Sequence, residues 1–280
     1  METGSLPLDR LCLHTITTRP WDLQTALPHY AEAGVAGVSL WRDAIAGRDL
    51  VDIRRRMTDL GLTGVSLVRG GQFAHHERSK RSAALDENRR CIEEAHALGL
   101  PVIVLVCGAD PEQPLEASRT QIAEALSALA DEAAAAGVSL GIEPLHPMYA
   151  GDRSAVNTLR QANDMAEELD HSAVSVVVDA YHLWWDPELE TEIRRCGSLG
   201  KLAALHISDW RIPTEDTLMD REIMGRGCIP LGKIIRWAQE AGYSGFLEVE
   251  IFSRRYWEDD QATFLTSIIE GYTKINTGGR

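Results

Sequence analysis

The amino-acid sequence predicts an α/β protein, a closed (β/α)8 TIM barrel, and three observations predict it. Eight short apolar runs alternate with longer helical patterns at roughly 30-residue spacing, the repeat of a strand–helix unit. Glycines close many of the helical stretches just before the next apolar run. Polar residues recur at the C-terminal ends of the last four runs. Such alternation lays strands parallel, and eight of them favour closure over a doubly wound sheet. No G-x-G-x-x-G follows any run, which argues against a dinucleotide-binding sheet.

The expected strands are Leu11–Thr17, Val35–Trp41, Leu62–Arg69, Val102–Cys107, Val138–Glu143, Ala173–Asp179, Leu202–Ser208 and Gly245–Phe252. The clearest helices between them are Ser82–Leu98, Pro114–Ala136, Ala155–Leu169 and Leu231–Ala241. Gly34, Gly61, Gly99, Gly137 and Gly242 stand where a left-handed residue would end a helix. The 280 residues show no break in composition. Because α/β barrels commonly run to ~250 residues as one unit, a single TIM-barrel domain over 1–280 is expected, with 275–280 as a loose tail.

Charge narrows the function. Lys+Arg number 28 against 42 Asp+Glu, a net −14 that repels phosphate backbones and anionic lipid. The basic cluster Arg54-Arg55-Arg56 sits in a helical pattern with Val51, Met57 and Leu60, which reads as a solvated helix face. Nucleic acid and membranes are therefore not expected partners. Five scattered cysteines without a C-x-x-C pair suit reduced, mostly buried thiols. The N-terminal residues lack a signal-peptide plan, and no apolar run approaches the ~20 residues of a membrane span. A cytoplasmic protein is expected, and a homo-oligomer is left open.

The last four strands share one pattern. In Val138–Glu143, Val138, Leu140 and Ile142 face away from Ser139, Gly141 and Glu143. In Ala173–Asp179, Val174, Val176 and Val178 oppose Ser175, Val177 and Asp179. In Leu202–Ser208, Ala203, Leu205 and Ile207 oppose Ala204, His206 and Ser208; in the last strand Leu247, Val249 and Ile251 oppose Glu248 and Glu250. Period two sends one set to the helices and the other into the barrel. Each inward set places its polar group near the strand's C-terminal end, and all such ends meet at the mouth where barrel active sites are built. A single strand-end carboxylate often just starts a loop. Three carboxylates and an imidazole converging at one mouth need a positive partner, and a divalent cation supplies one.

The motifs Gly141-Ile-Glu143-Pro144, Asp179-Ala-Tyr-His182, His206-Ile-Ser-Asp209-Trp210-Arg211 and Gly245-Phe-Leu-Glu-Val-Glu250-Ile-Phe resemble the sugar isomerase/epimerase group of the xylose-isomerase-like TIM barrels. That group includes ketose 3-epimerases, inosose isomerases and dehydratases, with apurinic endonucleases more distant. The resemblance covers essentially the whole chain and is sharpest from Leu140 to Trp257. It implies Glu143, Asp179, His206 and Glu250 as ligands of one divalent metal ion, and His182 and Arg211 as substrate-facing groups. Glu250 rather than Glu248 is the expected ligand, since it stands nearer the mouth and five residues after Gly245; Glu248 is expected one layer deeper, hydrogen-bonded. Trp41, Arg69 and His14, with Trp184 and Trp210, end or follow strands and are expected pocket walls.

The reaction expected is metal-dependent isomerisation or epimerisation of a sugar, keto-sugar or inosose through an enediolate, with Glu143 and Glu250 as base and acid. Three oxygen donors and one nitrogen suit Mn2+, Mg2+ or Co2+, and Zn2+ also fits. A keto-inositol or keto-sugar dehydratase is the close alternative. An endonuclease-type phosphodiesterase is disfavoured, because the fourth strand ends in Cys107 rather than His and no Asp-x-His follows His206. A non-catalytic sugar-binding barrel is disfavoured by the complete ligand set. Arg226, in Met224-Gly-Arg226-Gly-Cys228 where relatives carry an acidic turn, either meets a substrate anion or lies idle.

Overall fold

The computed structural model describes residues 6–277. Its strands are β1 (Leu11–His14), β2 (Gly37–Trp41), β3 (Thr63–Gly71), β4 (Val102–Val106), β5 (Ser139–Ile142), β6 (Val174–Asp179), β7 (Leu202–Ile207), β8 (Asp209–Trp210), β9 (Arg221–Glu222) and β10 (Leu247–Val249). The closed barrel runs β1-β10-β7-β6-β5-β4-β3-β2, and every neighbouring pair in it is parallel. The fold is the expected (β/α)8 barrel. The remaining strands, β8 and β9, form a small antiparallel ribbon over the mouth.

Strand parity behaves as the alternation demands. Leu140, Ile142, Val174, Val176, Val178, Leu205, Ile207, Leu247, Val249 and Ile251 all join the large core between barrel and helices. Val68, Val104, Val177 and Ala204 form a separate apolar cluster inside the barrel. A helix follows each barrel strand, among them Arg78–Leu98, Leu115–Ala135, Leu159–Leu169 and Leu231–Glu240. The third of these starts four residues later than the sequence suggests, because the Thr158 side chain accepts the Gln161 amide and caps the helix there. Gly34, Gly61, Gly99, Gly137 and Gly242 all take positive φ, between 70° and 94°, closing the helices as expected.

Arg54-Arg55-Arg56 lies on the surface helix Leu50–Asp59, where Arg55 pairs with Asp52 and Asp59 and Arg56 with Asp52. Cys12, Cys91, Cys107 and Cys196 are buried free thiols, and Cys228 is exposed. Among the described residues no helix is long and apolar enough to cross a membrane. The expected loose tail is corrected at its start: Ile275 is buried, and the Thr277 carbonyl accepts from Arg236. An apolar side chain at 275 anchors that segment on the helix Leu231–Glu240. Residues 278–280 lie outside the described residues.

Candidate metal centre and active-site cavity

Glu143, Asp179, His206 and Glu250 leave or follow β5, β6, β7 and β10, four consecutive neighbours around the barrel. All four are buried, and each offers one ligand atom within 4.8 Å of the others. Donors at ~2.0–2.4 Å from one ion stand at most ~4.0–4.8 Å apart, so the cluster has the span of a single coordination sphere. Neither nitrogen of His206 finds a hydrogen-bond partner among the described residues, nor does Glu143 Oε1. His206 Nδ1 nonetheless lies 3.1 Å from that oxygen. Two buried donor atoms this close without an aligned hydrogen bond fit ligands converging on a common cation, since otherwise both are desolvated without return.

One layer below, the fully buried Glu248 lies opposite His206 in the strand register. Its Oε2 accepts Ser39 Oγ at 2.6 Å and Ser66 Oγ at 3.0 Å, and lies 3.1 Å from His14 Nε2. Glu248 is thus the hydrogen-bonded deeper carboxylate expected from parity and depth. His14 is not the expected pocket wall: it is wholly buried, and its Nδ1 lies 3.0 Å from Glu250 Oε1. Pairing of Leu13 with Val249 and of His14 with Ser39 draws its ring in between the two glutamates. Burial opposes its charge and so does His206, but Glu250 and Glu248 outweigh them and raise its pKa. Set between the two glutamates, His14 is a strut that holds Glu250 from below.

A residue that no motif singled out completes the centre. Arg221, on β9, is only 2% exposed. Its Nη1 donates to Asp179 Oδ2 at 3.1 Å and to Glu250 Oε2 at 3.0 Å, and its Nη2 meets His182 Nε2 at 3.2 Å. The guanidinium carbon stands 4.3 Å from the Tyr181 ring centroid, a desolvated cation–π contact. Four carboxylates (Glu143, Asp179, Glu248, Glu250) thus crowd around Arg221 and His14, an excess of acidic groups that suits a divalent cation.

Asp209 fixes the ribbon that carries Arg221. Its carboxylate accepts the amides of Gly225, Gly227 and Ile229 at 2.9–3.0 Å. A side chain at Gly227 would collide with the Trp210 carbonyl at 2.3 Å, so only glycine lets the turn close on Asp209. Arg211, expected to face substrate, is not brought to the centre. It leaves the ribbon toward solvent and pairs with Asp220 at 2.7 Å. Arg226 is exposed, and Trp210 stacks on Tyr181 with Trp184 against Trp210, neither of them lining the cavity.

Above the four ligands lies a cavity of about 170 Å³. Glu143, Glu250, His182 and Arg221 reach it, Trp41 and Phe252 form an apolar wall, and Arg69 and Arg153 line it as well. Trp41 and Arg69, expected as pocket walls, are thus among the residues that line this cavity. Burial is the largest influence on His182 and, with Arg221, overrides Asp179, pulling its pKa down to about 3; the ring is neutral. With Nε2 accepting from Arg221, the proton rests on Nδ1, which has no partner among the described residues.

Burial also opposes the charged form of His206, but Glu143, Glu248 and Glu250 raise its pKa to about 10. Because that value lies above neutrality, the metal-free centre holds a proton on His206 below about pH 10, and a cation taking a ring nitrogen must displace it. Between pH 7 and 9, metal binding should release about one proton. Calorimetric titration in buffers of different ionisation enthalpy measures this, and zero release would show that the metal-free centre holds no proton on His206.

Comparison with known proteins agrees with the barrel fold. Residues 27–268 match the family model described as xylose isomerase-like TIM barrel. An inosose isomerase of Halalkalibacterium halodurans is 26% identical over 194 residues, 66% of this chain and 65% of that protein, so the matched stretch spans just under two thirds of the relative's length. The crystal structure of protein SMc04130 from Sinorhizobium meliloti 1021 superposes with a TM-score of 0.93 at 39% identity, covering 97% of this chain and all of the other. That of the IolI protein with a bound zinc atom gives 0.83 at 20% identity, covering 96% and 98%, a likeness of fold. The chain belongs to the xylose-isomerase-like TIM-barrel family.

Proposed function

We propose that the protein is a divalent-metal-dependent isomerase or epimerase of a sugar, keto-sugar or inosose. The observation that carries this reading is the convergence of Glu143, Asp179, His206 and Glu250 beneath a cavity that two of them, with His182 and Arg221, also line. A bound divalent ion polarises a carbonyl and an adjacent hydroxyl and acidifies the neighbouring C–H. Glu143 and Glu250 sit at the two ends of the four-strand arc. One takes the carbon-bound proton and the other returns a proton, to the adjacent carbon in an isomerase or to the opposite face of the same carbon in an epimerase.

While the proton is off carbon, negative charge gathers on the substrate oxygen. His182 Nδ1 and Arg221 Nε are buried donors without partners among the described residues, and both side chains reach the cavity. Donors held in place and already dehydrated are worth most to charge that develops in the transition state. Trp41 offers an apolar face to the ring of the substrate.

The test is metal analysis of the purified protein, followed by incubation with a panel of ketoses and inososes in D2O. Deuterium should enter the carbon beside the carbonyl with metal-loaded protein and not after chelation. Loss of water from the product would instead identify the dehydratase variant of the same chemistry. A fully loaded protein that exchanges no proton of any panel member overturns the reading.

A further inference from the structure

We propose that Arg69 and Arg153 form a subsite for an anionic group, a carboxylate or a phosphate, carried by the substrate away from its reacting carbons. This rests on the sugar-isomerase reading above and deepens it, because it makes the substrate an acidic sugar derivative rather than a neutral one.

The two arginines come from separate parts of the fold, Arg69 from β3 and Arg153 from the loop between β5 and the helix Leu159–Leu169. Both line the cavity that holds Glu143, Glu250, His182 and Arg221. Among the described residues neither guanidinium meets a carboxylate or donates a side-chain hydrogen bond. Several other arginines of this chain are clasped: Arg42 by Glu87 and Glu94, Arg195 by Asp164, Glu167 and Glu192, Arg221 by Asp179 and Glu250. With a net charge of −14, carboxylates are plentiful, yet among the described residues none forms an ion pair with Arg69 or Arg153, Glu143 acting on Arg69 only from a distance.

The pair is also set against itself. Desolvation at the cavity mouth and the neighbouring Arg153 both disfavour the Arg69 charge, and Glu143 works the other way. An anion between the two guanidiniums relieves that repulsion and offers each a charge-assisted hydrogen bond. Arg153 is held for the task. Its amide donates to the Tyr149 carbonyl at 3.0 Å, its own carbonyl accepts from Gly108 at 2.9 Å, and its guanidinium lies 5.3 Å from the Tyr149 ring centroid. Beyond Arg69, a neighbouring cavity of about 440 Å³ shares Trp41, Val68 and Arg69 with the first and leaves room for a bulky group.

The experiment compares equilibrium binding of D-fructose, D-fructuronate and D-fructose 6-phosphate, which differ only at C6, to Mn2+-loaded protein. At least one acidic probe should bind about tenfold or more tightly than D-fructose, and added salt should erode the difference. Preference for fructuronate identifies the group as a carboxylate, preference for the phosphate ester as a phosphate. In Arg69→Gln and in Arg153→Gln the preference should fall to within about threefold of unity. Inorganic phosphate alone separates this inference from the reading beneath it. If no sugar binds yet phosphate binds wild type and fails to bind Arg69→Gln, the anion subsite stands and the sugar reading falls. Neutral and acidic probes that bind alike, a preference that survives both substitutions, or phosphate bound equally by wild type and Arg69→Gln each overturn the subsite.

Discussion

Glu250→Gln is expected to lower turnover at least a thousandfold and to weaken metal binding, whereas Glu248→Gln should keep the metal and stay within about tenfold of wild-type kcat. The two residues lie two apart on one strand end, both facing inward, so the contrast isolates depth rather than chemistry. Glu250 is held by His14 at 3.0 Å and by Arg221 at 3.0 Å, and these neighbours, with His206, overcome burial to hold its pKa well below the ordinary value. An amide there gives up both a ligand charge and a proton carrier; loss of a general base alone typically costs ~10²–10⁴-fold. Glu248 does not line the cavity above the ligands. Its Oε2 accepts from Ser39 and Ser66, and a glutamine oxygen can keep those bonds while losing the attraction to His14. The expected cost is about 1–3 kcal/mol of stability. Metal content, Tm and kcat of the two variants decide the matter. A Glu248→Gln protein that folds and holds metal but is dead would exchange the roles assigned to the pair.

Legibility in the sequence followed periodicity. Val174, Val176 and Val178 on one parity and Asp179 on the other announce a strand, its outer face and its mouth end in six residues, and the same logic places Glu143, His206 and Glu250. Depth within the barrel is harder, because it depends on the stagger between strands that pair across long stretches of chain. His14 has inward parity and stands at a strand end, yet the register of β1 with β10 sets it beneath Glu250 instead of in the cavity. Arg221 has no periodicity to betray it. Its place depends on a loop folding back on β8 and on Asp209 clasping the turn that follows, and Arg211, five residues after His206, looks equivalent in one dimension. One signal was available. Four inward carboxylates, Glu248 included, exceed what a single divalent ion neutralises, so the mouth demanded further positive charge even though its source could not be read.

Arg221→Met is expected to lower kcat/KM at least a hundredfold and to destabilise the metal-free protein by about 3–5 kcal/mol, the usual cost of leaving a buried counter-charge unpaired. For a chain of this size that lowers Tm by on the order of 10 °C. Asp179 and Glu250 would face each other without the Nη1 that now lies 3.1 Å and 3.0 Å from them, and His182 would lose the donor that fixes its tautomer. Saturating divalent metal should restore part of the lost Tm, because the ion supplies charge at the same carboxylates, but it cannot replace the donor to the substrate oxygen. Arg221→Lys separates the two contributions. A lysine keeps the charge, so most of the stability should return, yet it lacks the planar fork that reaches Asp179, Glu250 and His182 at once, and kcat/KM should stay roughly ten- to a hundredfold down. Thermal unfolding with and without metal, set beside steady-state kinetics, reads both effects. If the lysine variant recovers full kcat/KM, Arg221 acts only as a buried charge; if the methionine variant turns over normally, it has no part in the reaction.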